Sequence, residues 1–139
     1  MNVLDYIAHE TERQSGTPAE EAGMHRAYEY FVNLQPFVLV IDDVLKAISM
    51  INGLTSYRHT PVVFRDGGPS ADHETIPRLM NNLFVHGQDL SADEFTKEFL
   101  DIHPFTDGNG RVGSLIWNYL SGTIEDPEPM PYFFGQDNG

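Results

Sequence analysis

A chain of 139 residues with 40% hydrophobic residues and no cysteine has the size and composition of one globular domain, and it excludes a disulfide framework, a thiolate zinc site and a catalytic thiol. Eight Lys and Arg residues against 21 Asp and Glu residues give a formal net charge of -13, which repels phosphate polymers and anionic lipid, so we expect no nucleic-acid and no membrane partner. No export signal and no apolar run of roughly 18 residues is present, so the sequence predicts a cytoplasmic protein.

Helical periodicity and capping signals predict an all-α fold. Apolar residues recur at helical spacing over residues 2–13, and the capping box Thr17-Pro18-Ala19-Glu20 begins a second helix that ends near Gln35-Pro36. The further predicted helices cover residues 37–51, residues 75–85, the segment behind the capping box Ser91-Ala92-Asp93-Glu94 as far as Ile102, and a last segment from about Arg111 to Leu120.

Residues 57–64 differ from the helical segments because they are rich in β-branched and aromatic side chains. The turn-forming sequence Asp66-Gly67-Gly68-Pro69 follows them, so a short strand or hairpin is predicted. Pro61 confines this strand to an edge, because proline has no amide hydrogen to donate to a neighbouring strand.

The last residues form an acidic tail. Residues 123–139 contain Glu125, Asp126 and Glu128 interleaved with prolines, which predicts an extended strap or a disordered end. We therefore expect a single domain over residues 1–122 followed by this tail.

The most informative stretch lies between the last two predicted helices and reads His103-Pro104-Phe105-Thr106-Asp107-Gly108-Asn109-Gly110-Arg111. Pro104 disfavours a helix that continues through His103, so the imidazole is expected at the mouth of a loop. Gly108 and Gly110 allow the backbone to turn its amides inward, and the Arg111 guanidinium at the start of the next helix adds positive charge. Together these groups favour a phosphate, and Asp107 adds an oxygen ligand for a phosphate-bound Mg²⁺.

This set of groups indicates transfer of a phosphoryl or nucleotidyl group. An imidazole with an ordinary pKa of roughly 6.5 is suited to remove a proton from an attacking hydroxyl near neutral pH. Mg²⁺ and the inward amides would stabilise the charge that develops on the phosphate oxygens.

A calcium loop is the main alternative for the Asp-Gly-Asn-Gly string. Counting Gly110 as the sixth residue of an EF-hand loop places Phe105 first and Ile116 twelfth, where Asp and Glu are required. The EF-hand interpretation is therefore excluded. A purely structural turn would not need His, Asp and Arg together.

The nine residues from His103 to Arg111 closely resemble the signature of the Fic family, an HPFx[D/E]GNGRxxR loop between two helices of an all-α core. Residues 57–64 followed by residues 75–83 are similar to the flap hairpin of that family and the helix after it. The resemblance extends over roughly residues 38–121 and implies a Fic-like helical core with a short β-hairpin flap.

The resemblance also implies a reaction and a role for each site residue. Family members usually transfer AMP from ATP to a protein Ser, Thr or Tyr hydroxyl, so the implied activity is that of a Mg²⁺-dependent protein adenylyltransferase that uses ATP or another nucleotide. The implied roles are catalytic base for His103, Mg²⁺ ligand for Asp107, phosphate clamp for Gly108, Asn109, Gly110 and Arg111, and docking of the target segment for Val62, Val63 and Phe64.

One position departs from the signature, since the second arginine of the family is replaced by Ser114. One guanidinium that would bind the outer phosphates is therefore missing, and three functions remain open. They are nucleotidyl transfer with altered nucleotide binding, a catalytically impaired Fic-fold binding module, and a phosphotransferase similar to the Doc branch, which also lacks this arginine but carries Lys where Gly110 stands here. The binding-module hypothesis predicts no transfer with any nucleotide, and restored ATP binding in Ser114→Arg.

Regulation is less well indicated. The autoinhibitory pattern of the family, [S/T]xxxE[G/N], has only near misses at residues 17–22 and 121–126. Because the second arginine is absent, we do not expect a glutamate to inhibit the chain through it. The short chain leaves little room for a second domain, so we expect any inhibition to come from a separate small protein.

Overall fold

The structure is a computed structural model that describes residues 1–14, 16–62 and 71–131. Within these residues the regular structure is helical, with two short 3-10 turns and no strand. The helices are α1 (Val3–Arg13), α2 (Pro18–Leu34), α3 (Ile41–Asn52), α4 (Ile76–His86), α5 (Ala92–Ile102) and α6 (Asn109–Ser121). The predicted all-α fold is confirmed.

The starts of α2 and α5 use the capping residues predicted from the sequence. The Ser91 hydroxyl accepts a hydrogen bond from the Glu94 amide at 3.1 Å, and the Glu94 carboxylate accepts one from the Ser91 amide at 2.9 Å, which completes the predicted capping box of α5. The Thr17 hydroxyl accepts from the Glu20 amide at 3.2 Å at the start of α2.

The predicted start of the third helix was wrong by four residues, since α3 begins at Ile41 rather than at Phe37. The Asp43 carboxylate accepts a hydrogen bond from the Val40 amide at 2.9 Å, and Val40 is extended. This side-chain bond ends the extended segment and begins the helix. Phe37 is consequently not on a helix face, and its side chain is 68% exposed.

The predicted β-hairpin flap is not seen in the described part of the chain. Residues 57–62 form no strand, and residues 63–70 lie outside the described residues. The Arg58 amide donates to the Pro104 carbonyl at 2.8 Å, and Pro61 has no amide hydrogen. The backbone at the start of this segment is therefore bonded to the loop after α5 instead of to a neighbouring strand.

Helix α6 lies at the centre of the fold. Its residues 109–116 are all buried, so the helix that follows the nine-residue loop is surrounded by the other elements. Helices α2 and α3 pack very closely at Gly23. Any side chain at this position would collide with the backbone carbonyl of Met50, so the close approach requires glycine. The buried location of α6 fixes the position of the loop at its start.

Residues 123–131 pack along α6 and reach α1. The Asn118 side chain donates to the Glu128 carbonyl at 3.0 Å and accepts from the Glu128 amide at 2.9 Å. The Met130 amide then donates to the Glu10 carboxylate at 3.1 Å, and the Met130 side chain is buried. The described part of the acidic tail is thus attached to α6, which begins at the end of the loop, and to α1.

None of the described helices combines the length and the apolar character that a bilayer span requires.

Candidate active site

His103 ends α5 and begins the loop. It has a left-handed backbone conformation, with φ 51° and ψ 63°, while its amide still donates to the Phe99 carbonyl at 3.0 Å. The following Pro104 disfavours a right-handed helical conformation at His103, which explains why the helix ends there. The side chain of His103 is 3% exposed.

The surroundings of His103 keep its imidazole neutral. Burial lowers the pKa of the imidazole to about 4, a hydrogen bond with the Leu100 backbone opposes this, and the nearby positive charge of Arg58 lowers the pKa further. At pH 7 the side chain is therefore uncharged and has a nitrogen lone pair with which to accept a proton.

The loop is held in shape by Asn109. Its side-chain amide donates to the Phe105 carbonyl at 2.8 Å, and its side-chain oxygen accepts from the Phe105 amide at 3.0 Å. The Phe105 ring is fully buried and anchors the loop in the core. Gly108 has φ 88°, and a Cβ there would lie 2.5 Å from the Ile48 side chain, so only glycine fits. Asn109, to which the resemblance assigns phosphate binding, therefore also shapes the loop.

Asp107 is the accessible carboxylate of the loop. Its side chain is 50% exposed, and one carboxylate oxygen lies 3.4 Å from Nη2 of Arg111. Its backbone carbonyl accepts a hydrogen bond from the Asn52 side chain at 3.2 Å, which fixes its position. In the described residues no cluster of three or more His, Asp or Glu side chains is arranged to hold a metal. One exposed carboxylate fits Mg²⁺ that is bound together with phosphate oxygens.

Arg111 is buried and bonded to a carboxylate that lies far away in the sequence. Its side chain is fully buried, and Nη1 donates to the Glu20 carboxylate at 2.5 Å. This contact lowers the pKa of Glu20. Nε and Nη2 of Arg111 make no hydrogen bond to the described residues. Glu20, at the start of α2, therefore binds one donor of the guanidinium that the sequence assigned to phosphate.

The end of α1 covers the start of α6. A side chain at Gly110 would collide with the Gln14 carboxamide, which is itself buried. The Gln14 carboxamide and the Thr11 hydroxyl both lack hydrogen-bond partners among the described residues. Because buried polar groups are costly without partners, these atoms are hydrogen-bonding groups that a water or a phosphate oxygen would satisfy. The residues present thus fit a phosphate group.

Ser114 is not an empty position. Its side chain is fully buried, and its hydroxyl lies 2.6 Å from the hydroxyl of Tyr6, which is also fully buried. The Asn118 side chain donates to the Tyr6 hydroxyl at 3.4 Å, and burial raises the pKa of the adjacent Glu10. Helix α1 therefore fills the space next to Ser114, and the structure leaves no gap for an arginine side chain at this position.

The residues predicted to dock the target are only partly described. Val62 is half-buried, whereas Val63 and Phe64 lie outside the described residues. Their role stays a prediction.

Several residues of the site were missed in the sequence. Glu20 was interpreted only as part of a capping box, and Arg58 was placed in a predicted strand. Tyr6 was read as part of a separate helix, 108 residues before Ser114. The one signal that pointed to Glu20 was its position in the near miss to the autoinhibitory pattern at residues 17–22, where the pattern itself selects Glu21.

Comparisons with known proteins identify the family of the chain. The crystal structure of a Fic family protein from Desulfovibrio desulfuricans G20 matches with a TM-score of 0.62 and 25% sequence identity, and the match covers 87% of this chain and 43% of that one. The chain therefore spans less than half the length of that protein. None of the curated proteins matches the chain. The Fic/DOC family model matches residues 42–121, which is more than half of the chain, and the chain therefore belongs to the Fic/DOC family.

Proposed function

We propose that this chain is a Fic-type protein nucleotidyltransferase that moves AMP from ATP, or the nucleotidyl group of another nucleotide, to a protein Ser, Thr or Tyr hydroxyl. The observation that carries the proposal is the nine-residue loop, which combines a buried neutral imidazole at one end, a half-exposed carboxylate in the middle and a helix N-terminus with a buried guanidinium at the other. Membership of the Fic/DOC family supports transferase chemistry in general.

In this reaction the neutral His103 imidazole accepts the proton of the acceptor hydroxyl while the hydroxyl oxygen attacks the α-phosphorus and pyrophosphate leaves. Asp107 would hold Mg²⁺, which supplies positive charge to the phosphate oxygens when it is bound. Nε and Nη2 of Arg111, which make no hydrogen bond to the described residues, and the amides at the start of α6 bind the phosphates and stabilise charge as it develops.

A catalytically impaired binding module is the second candidate function. It is favoured by the buried Tyr6–Ser114 pair, because the family's second arginine has no space in this fold. A phosphotransferase similar to Doc is the third, and it differs in which phosphate is transferred. Label on the α-phosphate reaches the target in nucleotidyl transfer, whereas label on the γ-phosphate reaches it in phosphotransfer.

Adduct detection by mass spectrometry tests the proposal. The chain is incubated with Mg²⁺, a panel of nucleoside triphosphates and cell lysate, and covalent adducts are compared with those made by a His103→Ala variant. A His103-dependent nucleotidyl adduct supports the proposal and identifies both donor and target. A phosphoryl adduct favours the Doc-like reaction, and nucleotide binding without any adduct favours the binding module.

Replacing Glu20 by Gln is expected to tighten binding of Mg²⁺-ATP by a few-fold to about tenfold. The change keeps the size of the side chain but removes the negative charge that competes with phosphate for Arg111, and tenfold corresponds to about 1.4 kcal/mol. Isothermal titration calorimetry measures the Kd. Glu21→Gln is the matched control, because Glu21 lies in the same first turn of α2 and is exposed. Equal affinities of Glu20→Gln and Glu21→Gln would show that Glu20 does not compete with the nucleotide.

A further inference from the structure

We propose that an apolar groove at the end of α6 binds an amphipathic helix of a partner protein, one that carries apolar side chains on one face and Lys or Arg residues beside them. The groove lies between the segment that joins α2 to α3, the end of α4 and the end of α6. Roughly 16 Å of α6 separates Leu120 in this groove from Asn109 in the nine-residue loop. The inference therefore goes beyond the proposed function and does not depend on it.

The exposed apolar surface of the described residues is concentrated at this groove. The groove has a volume of about 310 Å³, and none of its ten lining residues is charged. Of the eight large hydrophobic side chains that are exposed in the described part of the chain, four line the groove. Single exposed apolar residues are common, but a contiguous group with a polar rim marks an interaction site. The residues that provide its apolar surface include Phe37, Val38, Phe84, Leu90, Phe95 and Leu120.

The backbone that presents Phe37 is fixed by hydrogen bonds. The Tyr119 hydroxyl donates to the Phe37 carbonyl at 2.5 Å, and the Phe37 amide donates to the Leu34 carbonyl at 2.9 Å. Leu39, two residues later, is buried in the core, whereas the Phe37 side chain is 68% exposed. Because this backbone is already ordered, a partner that covers the Phe37 ring gains apolar contact at little further cost in conformational entropy.

The charge around the groove is negative. Residues 37–43, 84–95 and 117–126, which supply its lining, contain seven Asp and Glu residues and no Lys or Arg. Asp89, Asp93 and Glu94 are exposed and lie within two residues of Leu90 or Phe95 in the chain. Lys or Arg residues of a partner would therefore face carboxylates, and opposite charges of this kind speed association and favour the correct partner.

The same charges argue against a second copy of the chain as the occupant. In a two-fold symmetric dimer the same surface of each copy meets, so Asp89 and its neighbours would face their own equivalents. The net charge of -13 adds repulsion between copies at longer range.

The fold also favours a helix over an extended segment. A peptide strand binds by pairing with the exposed edge of a sheet, and the described residues contain no strand. An amphipathic helix instead inserts side chains from one face into an apolar groove, which is the kind of surface found here.

Fluorescence anisotropy with synthetic peptides tests the proposal. The probe is a labelled peptide of about four helical turns, with leucines along one face and lysines along the other. One control peptide has the same composition with its leucines distributed over all faces, and a second has glutamates in place of the lysines. We expect the probe to bind about tenfold more tightly than either control, because it alone matches both the apolar lining and the charge. Equal binding of the probe and the control with distributed leucines would overturn the proposal.

Phe37→Ala is the first test variant, and Leu4→Ala is its matched control. Leu4 is 64% exposed on α1 and does not line the groove. Loss of an aromatic contact at the centre of an interface weakens binding by about tenfold or more, so we expect this increase in the Kd of the probe for Phe37→Ala. Both side chains are exposed, so both variants should keep the wild-type circular dichroism spectrum. The same Kd in Phe37→Ala and Leu4→Ala would contradict the proposal.

Asp89→Asn tests the charge, and Glu12→Gln is its control because Glu12 is an exposed acid of α1. We expect Asp89→Asn to weaken binding of the probe by about threefold and to reduce the dependence of the Kd on salt, since one attractive charge is lost. Glu12→Gln should leave both unchanged. Equal effects of the two variants would mean that only the net charge of the chain attracts the probe, which would overturn the assigned site.

Nuclear magnetic resonance locates the bound probe without any need for turnover. The amide signals of Phe37, Val38 and Leu90 should shift when the probe is added, and those of Gly108 and Gly110 should not. Shifts at the nine-residue loop in place of the groove would contradict the proposal. Failure of the proposed function would leave these signals unaffected, so the two conclusions fail separately.

The same experiments distinguish the other possible occupants. A dimer that is detected by analytical ultracentrifugation and lost in Phe37→Ala would assign the groove to a second copy. Binding of the probe only after removal of residues 132–139 would assign it to that segment of the chain. Either result would overturn the proposal, whereas a monomer that binds the probe with residues 132–139 present supports it.

Discussion

His103→Ala is expected to lower the rate of nucleotidyl transfer by about 100- to 10,000-fold, the range that a positioned general base contributes. The reason is that the neutral, buried imidazole is the group of the loop suited to accept the proton of the attacking hydroxyl. The initial rate of label transfer from α-labelled nucleotide, at saturating Mg²⁺-ATP, measures the effect. Binding of the nucleotide should change little, because the phosphate-binding groups lie at the other end of the loop.

The control for folding is His103→Asn. Position 103 has φ 51°, and asparagine tolerates this left-handed conformation better than alanine does, while its amide is no base at neutral pH. Both variants should have the helical circular dichroism spectrum of wild type. Transfer at the wild-type rate in either variant would contradict the assignment of His103 as the base.

The same variants change how stability depends on pH. Burial depresses the pKa of His103 to about 4 in the folded chain, whereas the ordinary value is 6.5. As pH falls below 6.5 the unfolded chain takes up a proton that the folded chain does not take up until about pH 4, so wild type loses stability across this window. At about 1.4 kcal/mol per pKa unit, the loss is of order 3 kcal/mol. Urea unfolding at pH 7 and pH 4.5 measures the effect. The free energy of unfolding should fall less between these two pH values in His103→Asn than in wild type.

The sequence predicted the local features of the site well and the long-range ones poorly. The capping box of α5, the helix end at His103 and the turn at Gly108 depend on neighbouring residues, so their signals are contiguous in the chain. The contact between Glu20 and Arg111 joins residues 91 positions apart, and no periodicity or cap encodes it. An acidic residue is common in the first turn of a helix, so Glu20 was explained by its position in α2. Its contact with Arg111 was therefore not expected.

Arg58 was missed for a related reason. A pattern of β-branched and aromatic residues predicts a strand from its local composition. It gives no information about the hydrogen bonds that the Arg58 guanidinium makes to carbonyls at the end of α5. The error at the start of α3 was of a different kind, because apolar periodicity continued through Phe37 although the Asp43 side chain begins the helix later. For the third helix, periodicity thus predicted that the helix forms, and a side-chain hydrogen bond decided where it begins.

Ser114→Arg is expected to destabilise the chain by several kcal/mol and to give no gain in ATP binding. Ser114 is fully buried against Tyr6, so an arginine there adds volume to a packed region and brings a charge out of water. Overpacking costs about 1–3 kcal/mol, and an unpaired buried charge adds several more. Urea unfolding measures the stability, and calorimetry with Mg²⁺-ATP measures the Kd. Increased ATP affinity of a variant as stable as wild type would mean that α1 does not occupy this space in solution.

Two further variants separate the causes of that loss. Ser114→Ala removes one hydroxyl and one hydrogen bond, so about 1 kcal/mol is expected. Ser121→Arg makes the same chemical change as Ser114→Arg at the exposed end of α6, where a positive charge is favourable, and should leave stability unchanged. A large loss of stability in Ser114→Arg alone would show that the cause is the close packing of α1 against Ser114. The departure of this chain from the family signature would then be explained by packing, because Tyr6 from α1 lies directly against the residue that stands where the family has its second arginine.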